Sequence, residues 1–332
     1  MKKGYYILLA TMLLSAGCTD KLTEQPISPE QIYFGVVIAG GIEVTTRSDQ
    51  AVQSDTVALV SEENPDVILS LITSVEENLH SPFEQQANTR ATLINSPAVA
   101  LFDEFGWFAL NSSSQYVYRN VGVTKSTTDG NVFYAMKPWP STSETYSFYA
   151  YYPSLYLLPT AGLSIKTDGG KDIKEITYNM DGVGPEYQSD LMVAYASANY
   201  NSGTPVPLTF YHACTAVVIE AGDLNDANAK VKSVTFENIN TSGDCEITNS
   251  SPFFSWSNTA SSASYQVYAD DTGTVQNTPI LSGANTLMMI PQDFTSADQK
   301  IKVIIDDTTY TATLNTTSWE AGKVVTYTIT RS

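Results

Sequence analysis

Residues 208–220, Leu-Thr-Phe-Tyr-His-Ala-Cys-Thr-Ala-Val-Val-Ile-Glu, constrain this chain more than any other stretch. They are β-branched and aromatic, hold no Gly or Pro, and directly follow the turn-rich Asn-Ser-Gly-Thr-Pro-Val-Pro of residues 201–207. Such a run reads as a long, mostly buried strand. A polar stretch precedes it and a fresh strand series follows, so it is expected to open a second domain. The length of 332 residues exceeds what one compact core usually needs and fits two domains.

Hydrophobic residues make up 42% of the chain, enough for a packed core. Twenty Tyr and 12 Phe, with abundant Ser and Thr, favour strands over helices. Thirty-five acidic against 17 basic side chains give a formal net charge of −18. That balance argues against nucleic acid or a bare anionic membrane as partner and suits solubility outside a cell.

The N-terminus reads as an export signal. Met1-Lys2-Lys3 is a short positive region, and an apolar run from Tyr5 to Ala16 is too short and too early for a stop-transfer helix. It ends in Leu-Ser-Ala-Gly-Cys at residues 14–18, which resembles the lipobox of bacterial lipoproteins. There a small residue precedes the cysteine that is acylated and becomes the mature N-terminus. The expectation is a signal peptide over 1–17, lipidation (diacylation, palmitate) of Cys18, and a polar tether over 18–30 holding Pro26 and Pro29.

Beyond the tether, Ile32-Tyr-Phe-Gly-Val-Val-Ile begins a strand that resumes after Gly40-Gly41 and closes at Arg47. Its alternate apolar positions are Ile32, Phe34, Val36 and Ile38. Residues 56–60 read as a strand, and the apolar spacing of residues 67–79 predicts a short amphipathic helix. Arg90 sits in a polar, exposed-looking stretch. From Phe105 onward strands recur every ten to fifteen residues with Gly, Pro and Asn between them, and the series continues after residue 207. This is an all-β sandwich pattern, with an N-terminal domain over 31–203 and a C-terminal one over 204–332. Asp306-Asp307 reads as a tight hairpin turn.

Few residues could carry chemistry. The chain has two histidines, His80 and His212. His80 beside Pro82 suits the end of a helix, and His212 in an alternating strand suits a hydrogen-bonded core histidine. Neither nucleotide-binding glycine loop occurs. Asp270-Asp-Thr-Gly273 lacks the later ligands of a calcium loop and reads as a turn. The adjacent carboxylates Asp306 and Asp307 read as an exposed turn rather than an acid/base pair. Trp139, Tyr151 and Tyr152 could stack on sugars or fill a core. Cys214 and Cys245 either form a disulfide, as export permits, or are small buried hydrophobes. No cofactor and no metal are expected, and no catalysis.

Five blocks, in this order, resemble the fimbrillin superfamily, the Mfa-like and FimA-like lipoproteins of Bacteroidetes. They are Phe-Tyr-Ala-Tyr-Tyr-Pro (148–153), Asp-Leu-Met-Val-Ala (190–194), Leu-Thr-Phe-Tyr-His (208–212), Met-Met-Ile-Pro-Gln (288–292) and Trp-Glu-Ala-Gly-Lys-Val-Val-Thr-Tyr-Thr-Ile (319–329). The resemblance implies two tandem, elongated, transthyretin-like β-sandwich domains on the surface of an outer membrane. It also implies that an arginine-specific protease removes the lipidated N-terminal strand, and that a strand from a neighbouring fimbrial subunit fills the groove left behind. Carried onto this chain, the displaced strand is residues 32–46, and the cut falls at Arg47 or Arg90. Residues 324–329 are a donor candidate, and stalk, anchor, tip and accessory roles all fit. The implied function is a structural or adhesive pilus subunit. The alternative is a monomeric, lipid-anchored protein that binds a surface glycan or a host ligand.

Overall fold

The computed structural model describes residues 31–39, 53–76, 103–129, 131–156, 159–201, 203–314 and 318–331. Their regular structure is almost entirely strand. In chain order the strands are β1 (Gln31–Ile38), β2 (Gln53–Leu59), β3 (Leu69–Glu76), β4 (Gly106–Leu110), β5 (Tyr116–Gly122), β6 (Thr124–Lys125), β7 (Val132–Pro138) and β8 (Thr145–Tyr152). There follow β9 (Leu163–Asp168), β10 (Lys171–Asn179), β11 (Met192–Asn199), β12 (Val206–His212), β13 (Thr215–Ala221), β14 (Lys230–Glu237) and β15 (Ile239–Ile247). The last are β16 (Phe254–Ser262), β17 (Tyr265–Val275), β18 (Thr278–Leu281), β19 (Leu287–Met289), β20 (Lys300–Ile305), β21 (Thr308–Thr313) and β22 (Val324–Thr330).

The first sheet has eight strands in the order β5-β4-β8-β11-β12-β1-β7-β6. It rolls up on one face. Tyr118 on β5 donates its hydroxyl hydrogen bond to the Pro138 carbonyl at the far end of β7, at 2.7 Å. Inside the roll, Phe34 meets Phe105, Trp107 and Phe148 edge-on, with ring centroids 5.6, 5.4 and 5.6 Å apart. Edge-to-face packing of this kind adds to the burial of the rings themselves. A four-stranded sheet, β16-β15-β10-β9, lies over the outer face. There Phe253 stacks on Tyr195 at 5.9 Å, and the Arg119 guanidinium covers the Tyr116 ring while donating to the Asp172 carbonyl.

The C-terminal sandwich pairs the sheet β18-β13-β22-β3-β2, to which β19 adds beside β13, with the sheet β17-β14-β20-β21. Its centre is Trp319, set edge-on to Phe236 at 5.4 Å and donating its indole N–H to the Tyr327 hydroxyl at 2.9 Å. The turn at Asp306-Asp307 joins β20 to β21, with Asp306 at φ 53°.

Two local readings are corrected. The amphipathic helix expected over 67–79 is strand β3 over its described part, with Leu69, Leu71 and Thr73 buried in alternation. Apolar residues there fit both periods, and pairing with β2 and β22 selects period two. The long strand over 208–220 is two strands in different sheets, β12 in the first and β13 in the sandwich, parted at Ala213 and Cys214. Strands from either side of residue 204 share sheets: β2 and β3 join β22, and β9 and β10 join β15.

Gly106 opens β4 against the fully buried Tyr151 ring, which a Cβ at that position would overlap. Gly106→Ala is therefore expected to lower stability by about 1–3 kcal/mol, since the ring cannot move within a close-packed core. A urea denaturation series reads this directly.

Candidate strand-exchange site

β1 is an inner strand. On one side it runs parallel to β12, from Phe34 opposite Val206 to Ile38 opposite Phe210, and the Ala39 amide extends the ladder to the Phe210 carbonyl at 2.7 Å. On the other it runs antiparallel to β7, with Tyr33 opposite Tyr134 and Phe34 opposite Phe133, and Val36 donates to the Asn131 carbonyl at 2.8 Å. β12 and β7 do not pair with each other, so β1 alone closes the sheet between them.

The pleat sends Ile32, Phe34, Val36 and Ile38 inward, at 0, 0, 1 and 2% exposure. Each is worth about 2 kcal/mol of transfer free energy on area alone. On the opposite face Val37 is 57% exposed, and Tyr33 packs edge-on to Tyr134 at 5.4 Å. Gly35, opposite Pro207, has the Pro205 ring close above it. The site is thus a slot one strand wide between two strands, with four pockets at alternate positions and a row of backbone donors and acceptors on each wall.

Cys18, Arg47, Arg90 and His80 lie outside the described residues. Cys214 and Cys245 are buried, free thiols, so the bridge weighed for them is not formed. Burial, with the Asp190 charge adding to it, pushes the Cys214 thiol up to about 12; burial also raises Cys245. Both stay protonated and unreactive at neutral pH. His212 Nδ1 sits 2.8 Å from Asp190 Oδ2, and both side chains are buried. That carboxylate partner, 22 residues upstream, has no signal in the sequence around His212. Trp139, Tyr151 and Tyr152 are buried, packed into the sheets rather than displayed as a platform. Asp270 accepts from the amide and hydroxyl of Thr272, at 2.8 and 2.7 Å; these bonds hold its carboxyl below the ordinary range and define a turn.

Sequence reasoning did not reach Gln188. This fully buried amide donates to the Tyr265 hydroxyl at 2.6 Å and accepts from the Met288 amide at 2.7 Å. It ties the segment before β11 to β17 and β19. The blocks singled out in the sequence meet in space: residues 148–153, 190–194 and 208–212 lie on β8, β11 and β12, which are consecutive in one sheet. Met288 and Met289 flank β13, and Gln292 and Trp319 exchange backbone hydrogen bonds at 2.9 and 2.8 Å.

Phe34→Ala is expected to cost about 3–5 kcal/mol, because it removes the ring on which three other aromatics converge. Val37→Ser, one pleat away and exposed, should change stability by less than about 0.5 kcal/mol. Equilibrium denaturation of the two variants compares the inner face of β1 with its outer face.

No curated protein matches the chain in sequence. Among solved structures, a protein assigned to cell adhesion from Bacteroides uniformis superposes with a TM-score of 0.49 at 18% identity, covering 69% of this chain and 86% of its own. One assigned to cell adhesion from Bacteroides ovatus gives 0.42 at 16% identity, covering 93% and 97%. A fimbrial protein from Bacteroides vulgatus gives 0.39 at 15%, covering 69% and 91%. A family model described as fimbrillin-like matches residues 89–332, most of the sequence, and the chain belongs to the fimbrillin-like family.

Proposed function

We propose that this chain is a structural or adhesive subunit of a cell-surface fimbria, exported as a lipoprotein and assembled by exchange of its first strand. Membership of the fimbrillin-like family makes it a pilus or adhesin subunit of the cell surface. The reading assigns no catalysis, and its partners are other fimbrial subunits, an arginine-specific protease and the outer membrane. Acyl chains on Cys18 are the anchor in this reading, and the tether of residues 18–30 runs from there to β1.

The observation that carries the exchange step is the position of β1. It is the first described strand, an inner one, and it fills its own slot with four alternating apolar side chains. Removing it leaves two walls of unpaired N–H and C=O groups and four vacated pockets. A strand with the same alternation satisfies both at once. A cut in the connection to β2 separates β1 from the body.

The two arginines differ in what they would release. A cut at Arg47 frees β1 alone. A cut at Arg90 also frees β2 and β3, whose hairpin holds seven residue pairs with β22. Losing it would strip Leu59, Leu69 and Leu71 from the sandwich core. The smaller loss makes Arg47 the better site.

Limited digestion of the folded mature chain with an arginine-specific protease tests this, with the cut read by mass spectrometry. Cleavage at Arg47 is expected, and Arg47→Lys should abolish release of β1 while Arg90→Lys leaves it intact. Resistance of the wild-type chain at both arginines would sink strand release and move the reading to a monomeric, lipid-anchored binding protein. Cys18→Ala is expected to shift the chain from the membrane to the soluble fraction on cell fractionation.

A further inference from the structure

We infer that the β2–β3 hairpin is a lock on the terminal strand β22, so that this subunit accepts a strand through the β1 slot and does not give one from its C-terminal sheet. The inference rests on the strand-exchange reading above and concerns which side of the exchange this chain serves.

A strand given to a neighbour must leave its own sheet. β22 is held along both edges. It pairs parallel with β13 over residues 324–329, and antiparallel with β3 over residues 324–330, from Val324 opposite Glu76 to Thr330 opposite Ser70. Its inward side chains Val325, Tyr327 and Ile329 are all at 0% exposure, and the Trp319 indole is hydrogen-bonded to the Tyr327 hydroxyl. The backbone stays pinned past the strand. The Thr330 hydroxyl and the Arg331 amide both donate to the Asp223 carbonyl, at 2.8 and 2.7 Å, and Gly222 donates to the Ile329 carbonyl at 2.8 Å.

The hairpin makes β22 an inner strand. The sheet order runs β13-β22-β3-β2, so without the hairpin β22 would be the sheet edge, with a free row of donors and acceptors. The hairpin is fastened at its own far end as well. Beyond β2, Val60 exchanges two backbone hydrogen bonds with Thr311 on β21, at 3.0 and 2.9 Å. That contact closes the six-stranded sheet onto the opposing one, while Leu59, Leu69 and Leu71 fill the space between them. A connection that can be cut on its C-terminal side turns β1 into a separate peptide. β22 has no equivalent: its departure would split a closed sandwich between β13 and β3. The partner that fits is therefore a single neighbouring subunit bearing a free strand of alternating apolar residues, which places this chain at an end of the polymer.

Ser74 and Thr326 are directly opposed across β3 and β22, and both are half-buried. In a full mature chain carrying Ser74→Cys, Thr326→Cys and Arg90→Lys, oxidation staples the two strands. After arginine-specific cleavage, two readouts are taken, oxidised and reduced: binding of a fluorescent peptide of residues 31–39, and an unboiled denaturing gel. The expected result is peptide binding that agrees within about twofold in the two states, as for independent sites, and no self-assembled ladder in either. A ladder overturns the inference: one that needs reduction puts the donor in β22, and one that survives oxidation puts it elsewhere. Failure of the peptide to bind, with no ladder, overturns the strand-exchange reading itself. Should the stapled variant misfold, hydrogen exchange of residues 324–330 in the otherwise unmodified processed chain decides: protection is expected, and its loss on processing overturns the lock.

Discussion

An inner strand carries four obligations: a hydrogen-bonding edge on each side and a packed face on each side of the sheet. In this protein the first sheet depends on one such strand. β12 and β7 meet nothing but β1 between them, and Phe105, Trp107 and Phe148 converge on the one ring of Phe34. Backbone groups left unpaired away from water cost as much as the bonds they lose. The slot is therefore stable only when filled, and what fills it is specified by pattern more than by identity. Four apolar side chains at alternate positions and a continuous backbone are the whole requirement. The exchange proposed above relies on that lax demand.

Much of this was legible in the sequence, because period-two alternation is a local signal. Ile32, Phe34, Val36 and Ile38 announce an inward face, and that face is buried. What was not legible is set by partners distant in sequence. Residues 67–76 carry apolar spacings that a helix and a strand both satisfy, and pairing decides between them, with β2 on one side and with β22, some 250 residues on, on the other. The break inside residues 208–220 has no Gly or Pro to mark it. It falls where Ala213 donates back to the Leu191 carbonyl and Cys214 accepts from the Gly322 amide, two contacts from far along the chain. Gln188 looks like any loop amide until Tyr265 and Met288 are placed around it. Arg47 was singled out by its position directly after the first strand, and Arg90 by its polar stretch and its resemblance to the family's site. The choice between them proposed above rests on which described strands each cut would release.

The junction between the rolled sheet and the sandwich holds the chain's most enzyme-like set of residues: Asp190, His212, Cys214 and Tyr178. Its chemistry is that of a tie. The Tyr178 hydroxyl donates to the Met288 carbonyl at 2.7 Å, and burial holds its proton on. Cys214 keeps its proton for the same reason, so no thiolate is available to attack anything. The His212–Asp190 contact fastens β12 to the segment entering β11. These bonds fix which strand lies beside which, while His212 Nε2 is left buried without a hydrogen-bond partner among the described residues.

The residues before position 89 supply strands to both halves of the fold: β1 to the rolled sheet and β2–β3 to the sandwich. The region matched by the fimbrillin-like family holds neither. The two contributions differ in kind. The hairpin adds at the outside of a sheet and closes it, so the sandwich without it keeps β13 beside β22. β1 enters the middle, and its partner β12 lies some 170 residues downstream, among the most non-local pairings in the chain. Loop-closure entropy places such a pairing late in folding, after local hairpins such as β20–β21 and β15–β16 have formed. In the proposed exchange, a neighbour's strand would complete the sheet by taking up the pairings that β1 makes with β12 and β7.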